Sequence, residues 1–507
     1  MKINFKLYFF IAFAAISTVS CKKFLDVNRD PNNINQAPIS QILPSVTVNI
    51  GYMGASDLFR YSNLFMQQFS AQGPVSAGNT FKEYERYNVN NSDVNNVWNT
   101  TFATTLSDLE LLITKAGAEG SPHYAGVGRI LKAYVYQISV DAWGDLPYSE
   151  ALKFNAGLYP KFDDDAAIYT DLVKLIDTGI TNINATTSKL SPNTNTTIYQ
   201  NSSWAASKLQ WQKFANTLKL RIFLHYSKKD PTFAAQQINA LINSNATFMQ
   251  SNADNFQMMF TATSQQQTPT ASIEGGQFRN QFFPHRTIVD MMNATSDPRR
   301  ASYFVPFPYN SNPPTYKGSS ILDPVATSQY SRLHTYLKGA ATVNTALINA
   351  DGSLKDGAIT YSGAAPSRML TYAEYNFIRA EAALTMGAAG DAQTFFQEGI
   401  KASMADAGVT GASVTTYILA NGILLGSTQQ KLEQIINEKY IANFGVVMEP
   451  WTDWRRTGFP KLQSLKKPLA VYDELPRILP YGLNESTSNP NIPVRNSLLD
   501  RVFWDTK

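Results

Sequence analysis

Residues that could catalyse a reaction or bind a metal are scattered along this chain. Its four histidines have no cysteine partners and share no local motif: His123, His225, His285 and His334. The sequence contains no phosphate-binding G-x-x-x-x-G-K-[ST] loop, no G-x-S-x-G nucleophile elbow and no H-E-x-x-H zinc motif. A glycosidase needs two opposed carboxylates, and sequence spacing singles out no such pair. The sequence therefore supports enzymatic activity only weakly, and it predicts no cofactor and no metal site.

The acidic run Asp163-Asp164-Asp165 could suggest a calcium site, because calcium prefers oxygen ligands. However, the run immediately precedes an apolar helical pattern. At the start of a helix, aspartate side chains accept hydrogen bonds from exposed backbone N–H groups and interact with the positive end of the helix dipole. We therefore interpret these three residues as a helix start.

Cys21 is the only cysteine among the 507 residues, and it lies where a secretory signal would be cleaved. Residues 1–20 have two lysines near the start, an apolar run and no acidic residue, which predicts a signal peptide too short to span a membrane. The sequence Thr-Val-Ser-Cys at residues 18–21 resembles a bacterial lipobox. We therefore expect lipidation of Cys21, followed by a tether over residues 21–44. A single cysteine also excludes an intramolecular disulfide.

The overall composition narrows the class of protein. Hydrophobic residues make up 44% of the chain, which is enough for a large core, whereas charged residues make up only 16%. The net charge is +4 without any long basic block, which argues against a nucleic-acid-binding protein. The mean hydropathy of -0.22 excludes a polytopic membrane protein. A surface rich in amides, hydroxyls and tyrosines is typical of an extracytoplasmic protein that meets polar ligands.

Helical periodicity dominates the chain after the tether. The predicted helices cover residues of about 45–70, 94–116, 124–140, 165–184, 203–228, 232–244, 366–387, 391–407 and 428–444. In the segment 366–407, small residues and a Gly390-Asp391 turn predict two closely packed helices similar to a tetratricopeptide hairpin. Between about 245 and 365, turn-forming and aromatic residues replace the periodicity. We expect one mostly α-helical domain over 45–507, with this loop-rich insertion and little β structure.

Several segments, in order, resemble the SusD/RagB family, and specifically its SusD-like branch in Bacteroidetes-type bacteria. The segments that carry the resemblance are Cys21–Asp26, Asp30–Asn33, Asp141–Leu152, Pro160–Asp163, Ile168-Tyr169, Phe214–Arg221, Ile378–Ala383, Trp451–Gly458 and Leu475–Tyr481, followed by Glu485 and Asn489. Together they extend over nearly the whole mature chain.

The resemblance implies tetratricopeptide-like helical hairpins that support an irregular ligand-binding face. It also implies a lipid-anchored protein of the outer membrane that captures glycans or other oligomeric nutrients without catalysis. Such proteins deliver their ligand to a SusC-like TonB-dependent transporter. Two alternatives remain, an extracellular glycan-active enzyme and a structural transporter subunit without a ligand of its own. A polysaccharide, a host glycan and a peptide are all possible ligands.

Most of the matching motifs predict architecture rather than ligand contact. We expect Arg221 and Asn216 to bond neighbouring loops, and Arg455 and Arg456 to stack and form ion pairs within the fold. Trp98 lies on a helical pattern with apolar neighbours and is expected in the core.

Ligand contacts are expected on aromatic loops, because the C–H faces of sugars stack on rings while amides and arginines bond hydroxyls. Two segments fit this description. The candidate residues are Phe81, Tyr84, Arg86 and Tyr87 in the first segment, and Phe278, Arg279, Asn280 and Phe282 in the second. Their rings are expected to present flat faces to solvent, so that alanine substitution would weaken binding without lowering stability.

Overall fold

The computed structural model describes residues 37–71, 80–153, 157–275, 281–323 and 327–507. Cys21 and the candidate residues Phe278, Arg279 and Asn280 lie outside these ranges. Most regular structure is helical, which confirms the predicted mostly α-helical fold.

The helices in the first half of the chain range from five to twenty-two residues. They are α1 Ile39–Met53, α2 Asp57–Phe65, α3 Thr80–Glu85, α4 Asn95–Asn99, α5 Ser107–Ala118, α6 Pro122–Trp143, α7 Asp165–Ile183, α8 Trp204–His225 and α9 Pro231–Asn243, with a π-helical segment Thr100–Leu106 between α4 and α5.

The helices in the second half range from four to fifteen residues. They are α10 Pro269–Gly275, α11 Arg286–Ala294, α12 Arg300–Tyr303, α13 Thr335–Lys338, α14 Tyr372–Thr385, α15 Ala392–Asp406, α16 Ala412–Asn421, α17 Thr428–Ala442, α18 Glu449–Thr457 and α19 Leu483–Ser488. Short 3-10 turns occur at Asn252–Asp254, Thr327–Gln329 and Thr345–Leu347. Within the described ranges, each helix is too short or too polar to span a bilayer.

The strands of the described residues form small antiparallel pairs. They are β1 Phe69–Ser70 with β5 Phe283–Pro284, β2 Leu146–Pro147 with β3 Phe162–Asp163, β4 Phe256–Met259 with β8 Pro366–Leu370, and β6 Ala341–Val343 with β7 Ile359–Tyr361. Three of the four pairs use strands from residues 245–365, the segment that we call the insertion. These pairs fasten the insertion to the helical scaffold or close a hairpin within it.

Consecutive helices pack as antiparallel hairpins. In the pair α6 and α7, Gly126 lies so close to α7 that a Cβ atom there would be 2.7 Å from the backbone oxygen of Gly179. In the pair α14 and α15, a Cβ atom on Gly399 would lie 2.9 Å from the ring of Phe377. Asp391 accepts a hydrogen bond from the backbone of Thr394 and starts α15, as the sequence predicts. The tetratricopeptide-like hairpins are therefore confirmed.

Several predicted boundaries are wrong. The sequence predicts a tether that extends to residue 44, but α1 begins at Ile39 because Ile39, Ile42 and Leu43 are buried in the core. Residues 366–370 form strand β8 rather than the start of α14, and β8 pairs with β4. No helix is predicted where α18 lies, in a segment that contains a proline. The helix forms because this proline lies in the first turn, where the missing N–H is tolerated.

The main core runs through all the hairpins, and a smaller core lies between α14, α15 and α17. The spacing of Trp211, Ala215, Leu218, Ile222 and Tyr226 in the sequence predicts one apolar helical face. The first four of these residues are completely buried and Tyr226 is half-buried, which confirms the apolar face of α8. Trp98 is also in the core and makes an edge contact with Trp143, with ring centroids 5.3 Å apart.

Candidate functional site

The two aromatic segments proposed from the sequence meet in the structure. The pairing of β1 with β5 brings the end of the second segment onto the first, and the ring centroids of Phe81 and Phe282 lie 4.4 Å apart. The ring of Phe69 in β1 contacts Phe282 at 6.0 Å. The sequence thus selected two distant segments that share one cluster of rings.

These rings do not present their faces to solvent. Phe81, Tyr84, Tyr87 and Phe282 are only 2%, 6%, 2% and 4% exposed. The expectation of exposed stacking surfaces is therefore wrong for these four residues, because Phe81 and Phe282 pack on each other, Tyr84 packs on Tyr61 and Tyr87 packs on Phe65. Their contact with a ligand remains a prediction that no observation supports.

The polar ends of the two tyrosines are also engaged within the protein. The Tyr84 hydroxyl donates to Asp93 Oδ1 at 3.2 Å, and the Tyr87 hydroxyl accepts from the backbone of Leu465 at 3.0 Å. Burial raises the pKa of Tyr87 to about 12. Arg86 is more accessible, with 42% of its side chain exposed, but its Nε donates to the backbone oxygen of Leu469 at 2.7 Å. The first segment is thus held in place by its own polar groups.

Glu85, which no sequence pattern singles out, connects the loops around this cluster through hydrogen bonds. Its carboxylate accepts from the Ser70 hydroxyl at 3.1 Å, from the backbone N–H of Ala71 at 2.7 Å and from that of Ile321 at 3.2 Å. Nε2 of His285 lies 3.8 Å from the same carboxylate. Glu85 and His285 line a cavity of about 230 Å³.

The protonation states of this pair follow from burial. Nδ1 of His285 accepts from the backbone of Thr287 at 3.0 Å, so the ring proton of the neutral imidazole is on Nε2, which faces Glu85. Burial lowers the pKa of His285 to about 3 and raises the pKa of Glu85 to about 7. His285 is therefore neutral at neutral pH, whereas Glu85 titrates there.

A larger cavity of about 580 Å³, which we call the insertion cavity, lies within residues 264–361. Strand β7, the end of α13 and the loop after β4 form its walls. Its neutral polar groups are those of Ser264, Gln265, Gln267, Ser272, Thr360 and Tyr361. Its charged side chains are those of Arg332, Lys338, Lys355 and Asp356.

Backbone geometry fixes the position of Lys338 at this cavity. Gly339, which ends α13, has a φ of +79°, and a Cβ there would lie 2.7 Å from the backbone nitrogen of Ala364. Glycine is therefore required at this turn. Lys338 Nζ lies 3.9 Å from the centroid of the Tyr361 ring, and the Tyr361 hydroxyl donates to the backbone oxygen of Leu333 at 3.2 Å.

His334 supports Tyr361 from the other end of α13. Its Nδ1 lies 3.0 Å from the Tyr361 hydroxyl. Burial, with a smaller contribution from Lys338, lowers the pKa of His334 to about 4, so this imidazole is neutral at neutral pH. The hairpin of β6 with β7 and the turn at Gly339 assemble the cavity, and neither is marked by a local sequence motif.

The interpretation of the acidic run as a helix start is confirmed for Asp164, which accepts from the backbone of Ala167 at 3.0 Å. Asp145, Asp164 and Asp165 bring carboxylate oxygens within 4.8 Å of one another. Each of these carboxylates already accepts a backbone hydrogen bond, from Ala167, Asp165 or Phe503. These backbone hydrogen bonds account for the short distances between the three carboxylates.

The charged residues of the sequence motifs form a buried network between α8, α14, α17 and α18. Arg221 makes two hydrogen bonds of 2.8 Å to Glu374, and Lys439 binds Glu449 and Asp453 at 2.8 Å each. Glu449 has a pKa far below its usual range, chiefly because Lys439 and Arg221 outweigh its burial.

Arg456 extends this network to Glu381 at 2.8 Å. Arg455 stacks on Trp451 and Trp504, at 4.4 and 4.6 Å from their ring centroids. Asn216 donates to the backbone of Thr247 at 3.0 Å. The architectural roles predicted for Asn216, Arg455 and Arg456 are thus confirmed. Arg221 is also architectural, but it bonds helix α14 and strand β8 rather than a neighbouring loop.

Residues 31–481 match a SusD-like family described as "Starch-binding associating with outer membrane". None of the curated protein sequences matches the chain.

Solved structures of SusD-like proteins share the fold over nearly the whole chain. A SusD homologue from Bacteroides fragilis is 22% identical with a TM-score of 0.70, covering 89% of this chain and 94% of that one. A SusD-like protein from Bacteroides thetaiotaomicron is 20% identical with a TM-score of 0.72, covering 93% and 99%. A chitin-binding SusD homologue from Flavobacterium johnsoniae is 20% identical with a TM-score of 0.68, covering 94% and 97%.

Proposed function

Because this chain belongs to the SusD-like family of starch-binding, outer-membrane-associated proteins, we propose that it captures an oligosaccharide in the insertion cavity without cleaving it. We further propose that it acts at the cell surface as a lipoprotein and delivers the glycan to a SusC-like TonB-dependent transporter.

The insertion cavity is the observation that carries this proposal. Its volume of about 580 Å³ lies within the roughly 300–1,000 Å³ of small-molecule sites. Hydroxyl and amide groups of Ser264, Gln265, Gln267 and Thr360 line it, and these groups bond sugar hydroxyls. The similar structure from Flavobacterium johnsoniae is described as chitin-binding, which supports a glycan as the ligand class.

The surface location rests on different evidence. Cys21 ends an apolar leader and is the only cysteine, so its thiol is the expected site of lipid attachment. The family description places related proteins at the outer membrane. Replacement of Cys21 by alanine should release the protein from the membrane fraction. Unchanged fractionation with the outer membrane would contradict lipid attachment at this residue.

Titration calorimetry against a panel of oligosaccharides tests the capture step. The mature protein should bind at least one of them, and chromatography of the same samples should recover the oligosaccharide intact. Shortened products would indicate a glycan-active enzyme instead, and a flat response throughout would favour a structural subunit.

Extraction in mild detergent should co-purify a larger β-barrel transporter in comparable amount, and repeated recovery of the chain alone would contradict stable delivery to such a partner.

A further inference from the structure

The insertion cavity concentrates positive charge. Among its described lining residues, the basic side chains are those of Arg332, Lys338 and Lys355, against one carboxylate, Asp356. The whole chain has 43 lysines and arginines against 39 acidic residues, so this ratio of three to one is a local enrichment. A cavity with such an excess attracts anions.

Ring stacking contributes little to recognition here. Tyr361 is the one aromatic side chain among the described residues that line the cavity. The Lys338 ammonium group lies 3.9 Å from its centroid, over one face, and the Tyr361 hydroxyl donates to the backbone of Leu333. The cavity therefore offers few ring faces on which a neutral sugar could stack.

Two of the three cations, Lys338 and Arg332, are also held in place before a ligand arrives. Lys338 is only 7% exposed, and Gly339 fixes its backbone at the end of α13. The guanidinium carbon of Arg332 lies 4.4 Å from the ring centroid of Phe283. Charges at partly buried positions are screened less by salt than surface charges, so an anion bound beside them interacts more strongly.

From the charge ratio, the scarcity of rings and the fixed cations, we infer that the ligand of the insertion cavity is an acidic glycan, whose sugars carry carboxylate or sulfate groups. The inference rests on the proposed function and specifies its substrate class. Arginine and lysine bind both kinds of group through charge-assisted hydrogen bonds.

Matched pairs of oligosaccharides test this inference. One pair is an oligogalacturonate and its methyl ester, and the other is a sulfated galactan oligosaccharide and its desulfated form. At least one acidic member should bind the mature protein about tenfold or more tightly than its neutral counterpart, because hydrogen bonds to charged groups are stronger than neutral ones. The pair that shows this preference identifies the recognised group as a carboxylate or a sulfate. The affinity should also fall as salt is raised.

Two variants and one control complete the test. Lys338→Gln and Lys355→Gln should each weaken acidic binding about threefold to tenfold. Lys174→Gln, at a side chain 74% exposed on α7, should leave it unchanged. The same melting temperature for Lys355→Gln and wild type would show that lost binding is not lost folding. Equal or tighter binding of the neutral members would overturn the inference and leave glycan capture standing. A loss of affinity in the control equal to that in the cavity variants would have the same consequence. Binding of no glycan at all would overturn both.

Discussion

The ring centroids of Phe81 and Phe282 lie 4.4 Å apart, and both side chains are buried. Their contact joins α3 to the residues that precede β5, at the point where the insertion meets the helical scaffold. A position that the sequence suggests for ligand stacking is therefore a position that holds two parts of the fold together.

Replacement of Phe282 by alanine should destabilise the protein by about 3–5 kcal/mol, because it removes a buried ring and leaves a cavity. Tyr159→Ala removes a ring that is 54% exposed and should change the free energy of unfolding by about 0.5 kcal/mol or less. Denaturant unfolding of the two variants measures the difference. Equal stabilities would mean that the Phe81–Phe282 contact is dispensable.

Glu85 should make stability depend on pH in a defined direction. Its folded pKa of about 7 lies above the ordinary value of 4.5, so the folded state binds the proton more tightly than the unfolded state. Its contribution to stability is therefore complete below the unfolded pKa and is lost as the pH rises through about 7.

Glu85→Gln keeps the size of the side chain and cannot titrate. The free energy of unfolding of the wild type relative to this variant should increase by about 2 kcal/mol between about pH 7.5 and about pH 5. The contribution of His285, which stays neutral in the folded state over this range, is present in both proteins. A difference that stays constant with pH would contradict the raised pKa.

Close packing of α6 on α7 should make Gly126 intolerant of a side chain. In Gly126→Ala, the new Cβ would lie 2.7 Å from the backbone oxygen of Gly179, and the resulting strain should destabilise the protein by about 1–3 kcal/mol. Gly117→Ala is the matched control in α5, where no atom lies within 4 Å, and it should stabilise by about 0.5–1 kcal/mol. Thermal unfolding distinguishes the two, and the same sign for both substitutions would show that the helices can move apart at no cost.

Removal of one member of the buried network should be far more damaging than removal of a surface partner. Arg221→Met leaves Glu374 buried without its bidentate partner and should cost about 3–5 kcal/mol. Lys161→Met breaks contacts between exposed side chains and should cost about 1 kcal/mol or less. If chemical denaturation gave comparable losses, the network would not stabilise the assembly of α8 with α14.

Local patterns predicted the helices of this protein better than its cavities. The apolar face of α8 and the Gly390-Asp391 turn are encoded within a few neighbouring residues, and both predictions are confirmed. The burial of Phe81 depends instead on pairing between β1 and β5, which lie more than two hundred residues apart. Two-residue strands leave no periodic signal, so the enclosure of the aromatic cluster could not be read from the sequence.

The insertion cavity is not predictable from the sequence for a related reason. The sequence indicates that residues 245–365 are irregular, and aromatic runs are the most conspicuous pattern within them. Lys338 and Thr360 are brought to one cavity by a hairpin and a glycine turn, and neither residue stands out in its local sequence. Charge recognition by dispersed cations leaves a weaker sequence signature than a cluster of rings.

If the insertion cavity binds the glycan, a variant that fills the cavity should lose binding. Thr360→Trp places an indole at an exposed wall residue of the cavity, whereas Thr345→Trp places one at an exposed residue outside it. Calorimetric titration with an oligosaccharide that binds the wild type should show binding lost in Thr360→Trp and retained in Thr345→Trp, with similar melting temperatures for both variants. Undiminished binding by Thr360→Trp would contradict the claim and place the ligand elsewhere on the protein.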